Sequence, residues 1–353
     1  MRSFSCDSCG QLVFFANSEC LRCRSPLGYL HERRDVISLT EIEPGRMVDT
    51  SDPTRTWQYC STHPATGCNW LVPSSAPGLC QSCELTRTRP ADGDRDGLAE
   101  FVAAENAKRR LIFQLAELGL PIRRRDEATE QGVVFDLLAS NDVKVITGHD
   151  DGVITLDLAE ADDEHREHLR LQLNEPYRTL LGHFRHEIGH YYWPVLVSGD
   201  NLLSACRALF GDDTQDYAEA VKGHYSSPSH AEAWGDEYIS HYATMHPYED
   251  WAETFAHYLH ILDTLQTAEN FGVSPPRPSR RRLASQADPD PTRPDGRATF
   301  GEVIDYWLEL SCGLNQINQS MGRDDLYPFV LAPPVIRKLA FIDRVVRLHR
   351  AAP

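Results

Sequence analysis

The chain has no apolar run of the roughly 20 residues that a membrane-spanning helix requires. Its opening, M-R-S-F-S-C-D-S-C-G, lacks the apolar core of a secretory signal. Basic charge is also short. Lys and Arg number 35 against 52 Asp and Glu, for a net charge of −17, which argues against general affinity for nucleic acid or anionic membranes. The expectation is a cytoplasmic protein. Cysteine is scarce after residue 83: eight of the ten precede residue 84, and six of those eight fall in C-x-x-C pairs. In a reducing compartment such clustering points to metal rather than to disulfides. The apolar and charged fractions are ordinary, and 353 residues suffice for two or three domains.

What is present centres on His186-Glu187-Ile188-Gly189-His190, an H-E-x-x-H sequence. On a helix, positions i and i+4 share a face, so both imidazoles can reach one metal ion. Glu187 then stands beside it as a candidate general base for a water activated by that metal. Pro176 suits a first helical turn, Leu180, Leu181, Phe184 and Ile188 form one apolar stripe, and Pro194 marks the expected end. Gly189 is a poor helix former, and close approach of another backbone would offset its cost.

The first unit is expected at residues 1–90. Cys6-x2-Cys9 and Cys20-x2-Cys23 supply four thiolates for one tetrahedral zinc, as in a zinc ribbon. Cys60, Cys68, Cys80 and Cys83 read as a second four-thiolate site, with His63 as a substitute ligand or with Cys60 or Cys68 as a free core thiol. These metals would be structural, since four protein ligands leave no open position. Residues 1–90 carry nine Lys/Arg and nine Asp/Glu, so no basic footprint appears. The cluster Arg22, Arg24, Arg33 and Arg34 reads as a solvated face. The ribbon is expected to hold a protein partner or part of the substrate instead.

Residues 92–97 read as a linker, and Leu98–Leu118 as an amphipathic helix stopped by Gly119 and Pro121. Val133–Leu138, Val143–Thr147 and Val153–Leu158 read as three strands of a small, mostly antiparallel sheet. The acidic stretch Glu160–Glu167 leads into the H-E-x-x-H helix. Further helices are expected at Leu202–Phe210, Asp216–Tyr225, Ala231–Thr267 with an interruption near Pro247, Thr299–Gln319 and Pro334–Arg350. Residues 272–298, rich in proline and holding Arg280-Arg281-Arg282, read as a linker or surface excursion. A zincin-like domain is thus expected at 98–271, with closing helices at 299–353 packed on it.

A catalytic zinc needs a third protein ligand and one open position. No histidine follows His190 at the short metzincin spacing, so a distant carboxylate is favoured. Glu253, in Ala-Glu-Thr-Phe, is the first choice; Glu249 and Asp250 are rivals, read by preference as capping and salt-bridging residues around Trp251. His257 is a candidate to hold a ligand by hydrogen bonding. His241, Tyr242, His246, His257 and Tyr258 are candidate oxyanion donors.

The C-x-x-C pairs, Cys60 to Cys68 with Asn69-Trp70-Leu71-Val72-Pro73, Arg178 to Trp193, and Glu249 to Leu259 together resemble a bacterial family of zinc-binding metallopeptidases with an N-terminal zinc-ribbon domain. The resemblance implies an α+β chain: a zinc ribbon, then a mostly helical, gluzincin-like zincin domain with a small β-sheet. It implies one catalytic Zn2+ and one or two structural ones, and a peptide or protein substrate of unspecified sequence. The rival expectation is a zinc-folded adaptor with a vestigial peptidase site.

Overall fold

The computed structural model describes residues 1–140, 145–162, 179–226, 234–274 and 299–350. Among them, no helix is long and apolar enough to cross a membrane. Mixed helices and sheets form two compact units. One holds the described residues up to 162 together with Thr179–Phe184, and the other the described residues from Arg185 onward.

The first unit begins with a hairpin, β1 (Phe4–Ser5) against β2 (Leu12–Val13), with Cys6 and Cys9 in its turn. Five strands follow as an antiparallel meander: β3 (Leu27–Leu30), β4 (Asp35–Glu43), β5 (Arg46–Asp49), β6 (Thr56–Tyr59) and β7 (Leu71–Pro73), with the one-turn helix α1 (His63–Thr66) before the last. Leu30, Ile37, Leu39, Met47, Trp57 and Leu71 form a buried cluster within it. Gly28 gives Leu71 its place, because a Cβ would fall 2.5 Å from Leu71 Cδ2 and the leucine would have to shift.

The strand β8 (Thr86–Thr88) then leads into helix α2 (Arg95–Leu118). Asp94 caps this helix by accepting from Gly97 N at 3.0 Å, and Gly119 ends it at φ +70°. The helix therefore starts inside the expected linker, since Asp94 is a good cap. Its Phe113 packs on the ribbon's aromatic core, with ring centroids 4.9 Å from Phe15 and 5.7 Å from Tyr29.

The small sheet departs from expectation. It has four strands in the order β10-β11-β9-β8, where β9 is Val134–Leu138, β10 Gly148–Asp150 and β11 Val153–Asp157. β9 runs parallel to both β8 and β11, and only β10–β11 is antiparallel. The reason lies in the connections. β8, α2 and β9 make a β-α-β unit, whose crossover sets parallel strands. Residues 145–147, expected in a strand, lie outside one, and the pairing falls on the segment read as turn.

Helix α3 (Leu180–Leu196) begins in the first unit and continues into the second from Arg185, where it carries the H-E-x-x-H residues; Pro176 lies outside the described residues. Helix α3 passes through Pro194 rather than ending there. The proline frees the His190 carbonyl, which accepts from the Tyr248 hydroxyl at 3.4 Å. Helices α4 (Asp200–Phe210) and α5 (Tyr217–Ser226) follow. Helix α6 is Pro247–Asn270, not a helix from Ala231: residues 234–246 are irregular, with two 3-10 turns. Pro247 sits in the first turn and the His246 ring caps it by accepting from Tyr248 N at 3.1 Å. Helices α7 (Phe300–Ser320), with a Thr299–Glu302 capping box, and α8 (Pro333–Leu348) close the unit. The expected linker 272–298 lies outside the described residues from 275 onward.

The core of this unit surrounds Trp251 of α6, with ring centroids 5.2 Å from Trp193, 5.6 Å from Phe210 and 6.4 Å from Phe341. Beside it Asp250 pairs with Lys338 of α8 at 2.6 Å, both buried, as the salt-bridge reading of Asp250 expects. Lys338 also donates to Glu237 O at 2.8 Å. Breaking such a buried pair on one side is costly, because the remaining charge has no water.

Candidate metal centre

Helix α3 places His186 and His190 one turn apart, with their Nε2 atoms 3.1 Å from each other. Helix α6 crosses at Gly189. A Cβ there would lie 3.1 Å from Ala252 Cα and 3.2 Å from Ala252 O, so the close backbone approach expected of this glycine is present. The Trp251 indole N–H fastens the crossing by donating to Gly189 O at 2.9 Å.

This contact decides which carboxylate meets the imidazoles. Glu249 Oε2 lies 3.0 Å from His186 Nε2 and 3.4 Å from His190 Nε2. Glu253 Oε1 lies 2.7 Å from His186 Nδ1, on the far side of that ring. The first-choice carboxylate is therefore not the one among the convergent donors, and the rival Glu249 is. Residues 249 and 253 are one turn apart on α6, and the two nitrogens of His186 receive one each.

The donor set fits a zinc ion. Around zinc with bonds of about 2.0–2.1 Å, tetrahedral ligand atoms sit about 3.3 Å apart. The three separations of 3.0, 3.1 and 3.4 Å are close to that edge. Glu249 Oε2 is buried, yet no aligned hydrogen bond reaches it. Two imidazole nitrogens and a carboxylate oxygen converging in this way are stabilised by positive charge among them, a metal ion or a proton. Burial works to raise both carboxyls and to lower the imidazole, but their mutual contacts win. Glu249 and Glu253 are held below the usual carboxylate range, and His186 well above its ordinary value. The site thus favours carboxylates around a positive charge.

Glu187 stands apart from the convergent three. It is buried, and its Oε2 has no hydrogen-bond partner among the described residues. Burial raises its carboxyl, and the neighbouring imidazoles only partly oppose this. A carboxyl raised in this way is a stronger base than an exposed one.

The expected oxyanion donors fare unequally. His246 is committed to the α6 cap and, through Nε2, to Gln215 O at 3.2 Å. His257 Nδ1 meets the Tyr327 hydroxyl at 2.9 Å, and the Tyr258 hydroxyl donates to Asp343 at 3.3 Å. His241 packs on His224, centroids 4.7 Å apart. Tyr242 alone of the five packs near the imidazoles, its ring centroid 5.8 Å from that of His186. At His186 Nδ1 the ligand-holding place is taken by Glu253. Two tyrosines at the site carry no sequence signal. Tyr248 lies against His190 with centroids 4.1 Å apart, and the Tyr217 hydroxyl donates to Glu249 Oε1 at 2.8 Å.

His257 also carries a pH dependence. Burial, opposed in part by Glu253 and helped by Arg185, pushes its imidazole down to about 4. A histidine kept neutral stabilises the fold above its unfolded value of about 6.5 and loses that contribution as pH falls toward the folded value. Between pH 7 and 5 the loss is about 2 kcal/mol. Urea unfolding of His257→Gln is expected to show a correspondingly smaller loss; an unchanged pH slope would contradict this.

The cysteines form two clusters. Cys6 and Cys23 sulfurs are 3.6 Å apart, as are those of Cys9 and Cys20. Cys68 lies 3.8 Å from Cys80 and 3.7 Å from Cys83, and Cys60 accepts from Cys80 N at 3.2 Å. Tetrahedral thiolates around zinc, with bonds of about 2.3 Å, sit about 3.8 Å apart. His63 is turned elsewhere, Nδ1 to Cys68 O at 2.9 Å, so all four donors of the second cluster are sulfur. A four-thiolate zinc is doubly negative, and buried α2 residues lie beside this cluster: Glu105 Oε2 is 3.7 Å from Cys83 Sγ and is paired with Lys108 at 2.6 Å and Arg109 at 3.6 Å. The arginines read as a solvated face are exposed, and each has a partner: Arg24 with Glu19 at 2.7 Å, Arg33 with Asp49 at 2.6 Å, Arg34 with Glu117 at 3.7 Å and Arg22 with Cys9 O at 3.5 Å. Complete zinc removal is expected to abolish amide-exchange protection across residues 1–90, since structural zinc supplies about 10–16 kcal/mol to small domains. Protection unchanged in the zinc-free protein would refute this.

A family described as "Putative zinc-binding metallo-peptidase" matches residues 97–345. The chain belongs to this family. A zinc-ribbon domain family matches residues 3–94 of the same chain. One protein of Mycobacterium bovis and two from strains of Mycobacterium tuberculosis, each described as an uncharacterized protein, are 49% identical over 348 residues, covering 98% of this chain and 95% of theirs. No solved structure matches the chain. The two family matches meet between residues 94 and 97, whereas by packing α2 and the small sheet of the metallo-peptidase part lie in one unit with the ribbon.

Proposed function

We propose that the chain is a zinc-dependent peptidase of the H-E-x-x-H type with a distant glutamate ligand, in the manner of gluzincins. The carrying observation is the convergence of His186, His190 and Glu249, with Glu187 Oε2 buried and without a hydrogen-bond partner among the described residues. A zinc ion held by those three would acidify a water and polarise a scissile carbonyl. Glu187 takes the proton from the attacking water and delivers it to the leaving amine. Glu253 accepts from His186 Nδ1 and so fixes the tautomer that presents Nε2 inward. Tyr242, packed beside His186, is the nearest of the expected donors to a developing oxyanion.

The two cysteine clusters hold structural zinc in this reading, which gives three ions per chain. The substrate is a peptide or protein, and the ribbon holds a protein partner or part of that substrate. The test is cleavage of a proteome-derived peptide library, read by mass spectrometry. Hydrolysis that stops when a chelator removes the third zinc and returns on stoichiometric re-addition is expected. Protein with all three ions and no cleavage would overturn the reading in favour of a zinc-folded adaptor.

A further inference from the structure

Tyr217 is the first residue of α5, and none of the α5 residues whose side chains are described is buried. Its ring is 45% exposed, yet its hydroxyl reaches a carboxylate that is 2% exposed, donating to Glu249 Oε1 at 2.8 Å. The two oxygens of Glu249 are thus divided. Oε2 faces both imidazole nitrogens, and Oε1 faces the phenol. The ring is also set against His246, the cap of α6, with centroids 5.4 Å apart, so the phenol is placed rather than loose.

A carboxylate can hold a metal through one oxygen or through both. Two-oxygen binding would fill the direction that a catalytic site must leave for water. We infer that Tyr217 is a positioning residue that holds Glu249 to one-oxygen ligation and keeps that direction open. The inference rests on the proposed ligand role of Glu249. The hydroxyl engages the oxygen that would otherwise turn inward, and it does so from a helix outside the core. The residue touches the ligand and not the reacting atoms.

The test uses full-length protein with zinc in the cysteine clusters and cobalt at the third site. Tyr217→Phe removes one hydroxyl from a half-exposed ring, so folding is preserved. The expected result is a weaker visible cobalt band, as the ion gains a ligand oxygen. In the zinc protein kcat falls by about tenfold or more with KM within about twofold, the scale on which supporting hydrogen bonds at metal sites act. A cobalt spectrum and a kcat both unchanged in Tyr217→Phe would overturn the inference. Glu249→Ala, run in parallel, separates the two levels. Retention of the third metal in that variant would sink the ligand assignment and this inference with it. Loss of the metal there, with Tyr217→Phe silent, would sink the role of Tyr217 alone.

Discussion

Glu187→Gln is expected to keep its metal and lose about a thousandfold in turnover. The amide has nearly the shape of the carboxylate, so the helix crossing is undisturbed. What it lacks is basicity, and general base catalysis contributes about 10²–10⁴-fold. Glu187 lies outside the convergent donor set and its Oε2 has no hydrogen-bond partner among the described residues. Burial already disfavours that charge. A peptide-cleavage rate measured beside a zinc count decides the matter. Native turnover would remove Glu187 from the chemistry, and a lost zinc would make it a ligand.

The second large effect separates two glutamates one turn apart. Glu249→Ala is expected to lose the third metal outright, because it takes away one of three donors in a buried site. Glu253→Ala is expected only to weaken binding by about 10–100-fold, the range for partners that orient a ligating histidine. Competition against a chromophoric chelator reads both. The reverse order would place Glu253 on the metal and Glu249 behind it.

The difference between those residues marks the limit of what the chain discloses by itself. His186 and His190 are fixed by the period of one helix, and each C-x-x-C pair by one tight turn. Such local features are legible, as is the close packing demanded by Gly189. The third donor depends on where α6 crosses α3, where a Cβ on residue 189 would lie 3.1 Å from Ala252 Cα, and spacing along the chain carries no register for that crossing. Tyr217 lies 32 residues before Glu249 and has no motif around it. The strand directions of the small sheet are hidden for a related reason. Short apolar runs look alike in parallel and antiparallel strands, and the direction is set by α2 as a crossover. The start of α6 was legible in principle, since Pro247 after a polar residue is a helix beginning, but the aromatic-rich stretch before it mimics helical spacing.

The most direct test is an anomalous difference map at the zinc edge from crystals of the zinc-loaded protein. The account predicts one peak in each cysteine cluster and a third bonded to Nε2 of His186, Nε2 of His190 and one oxygen of Glu249, with Glu253 on His186 Nδ1. A third peak ligated by Glu253, or no density between the two histidines, would contradict it.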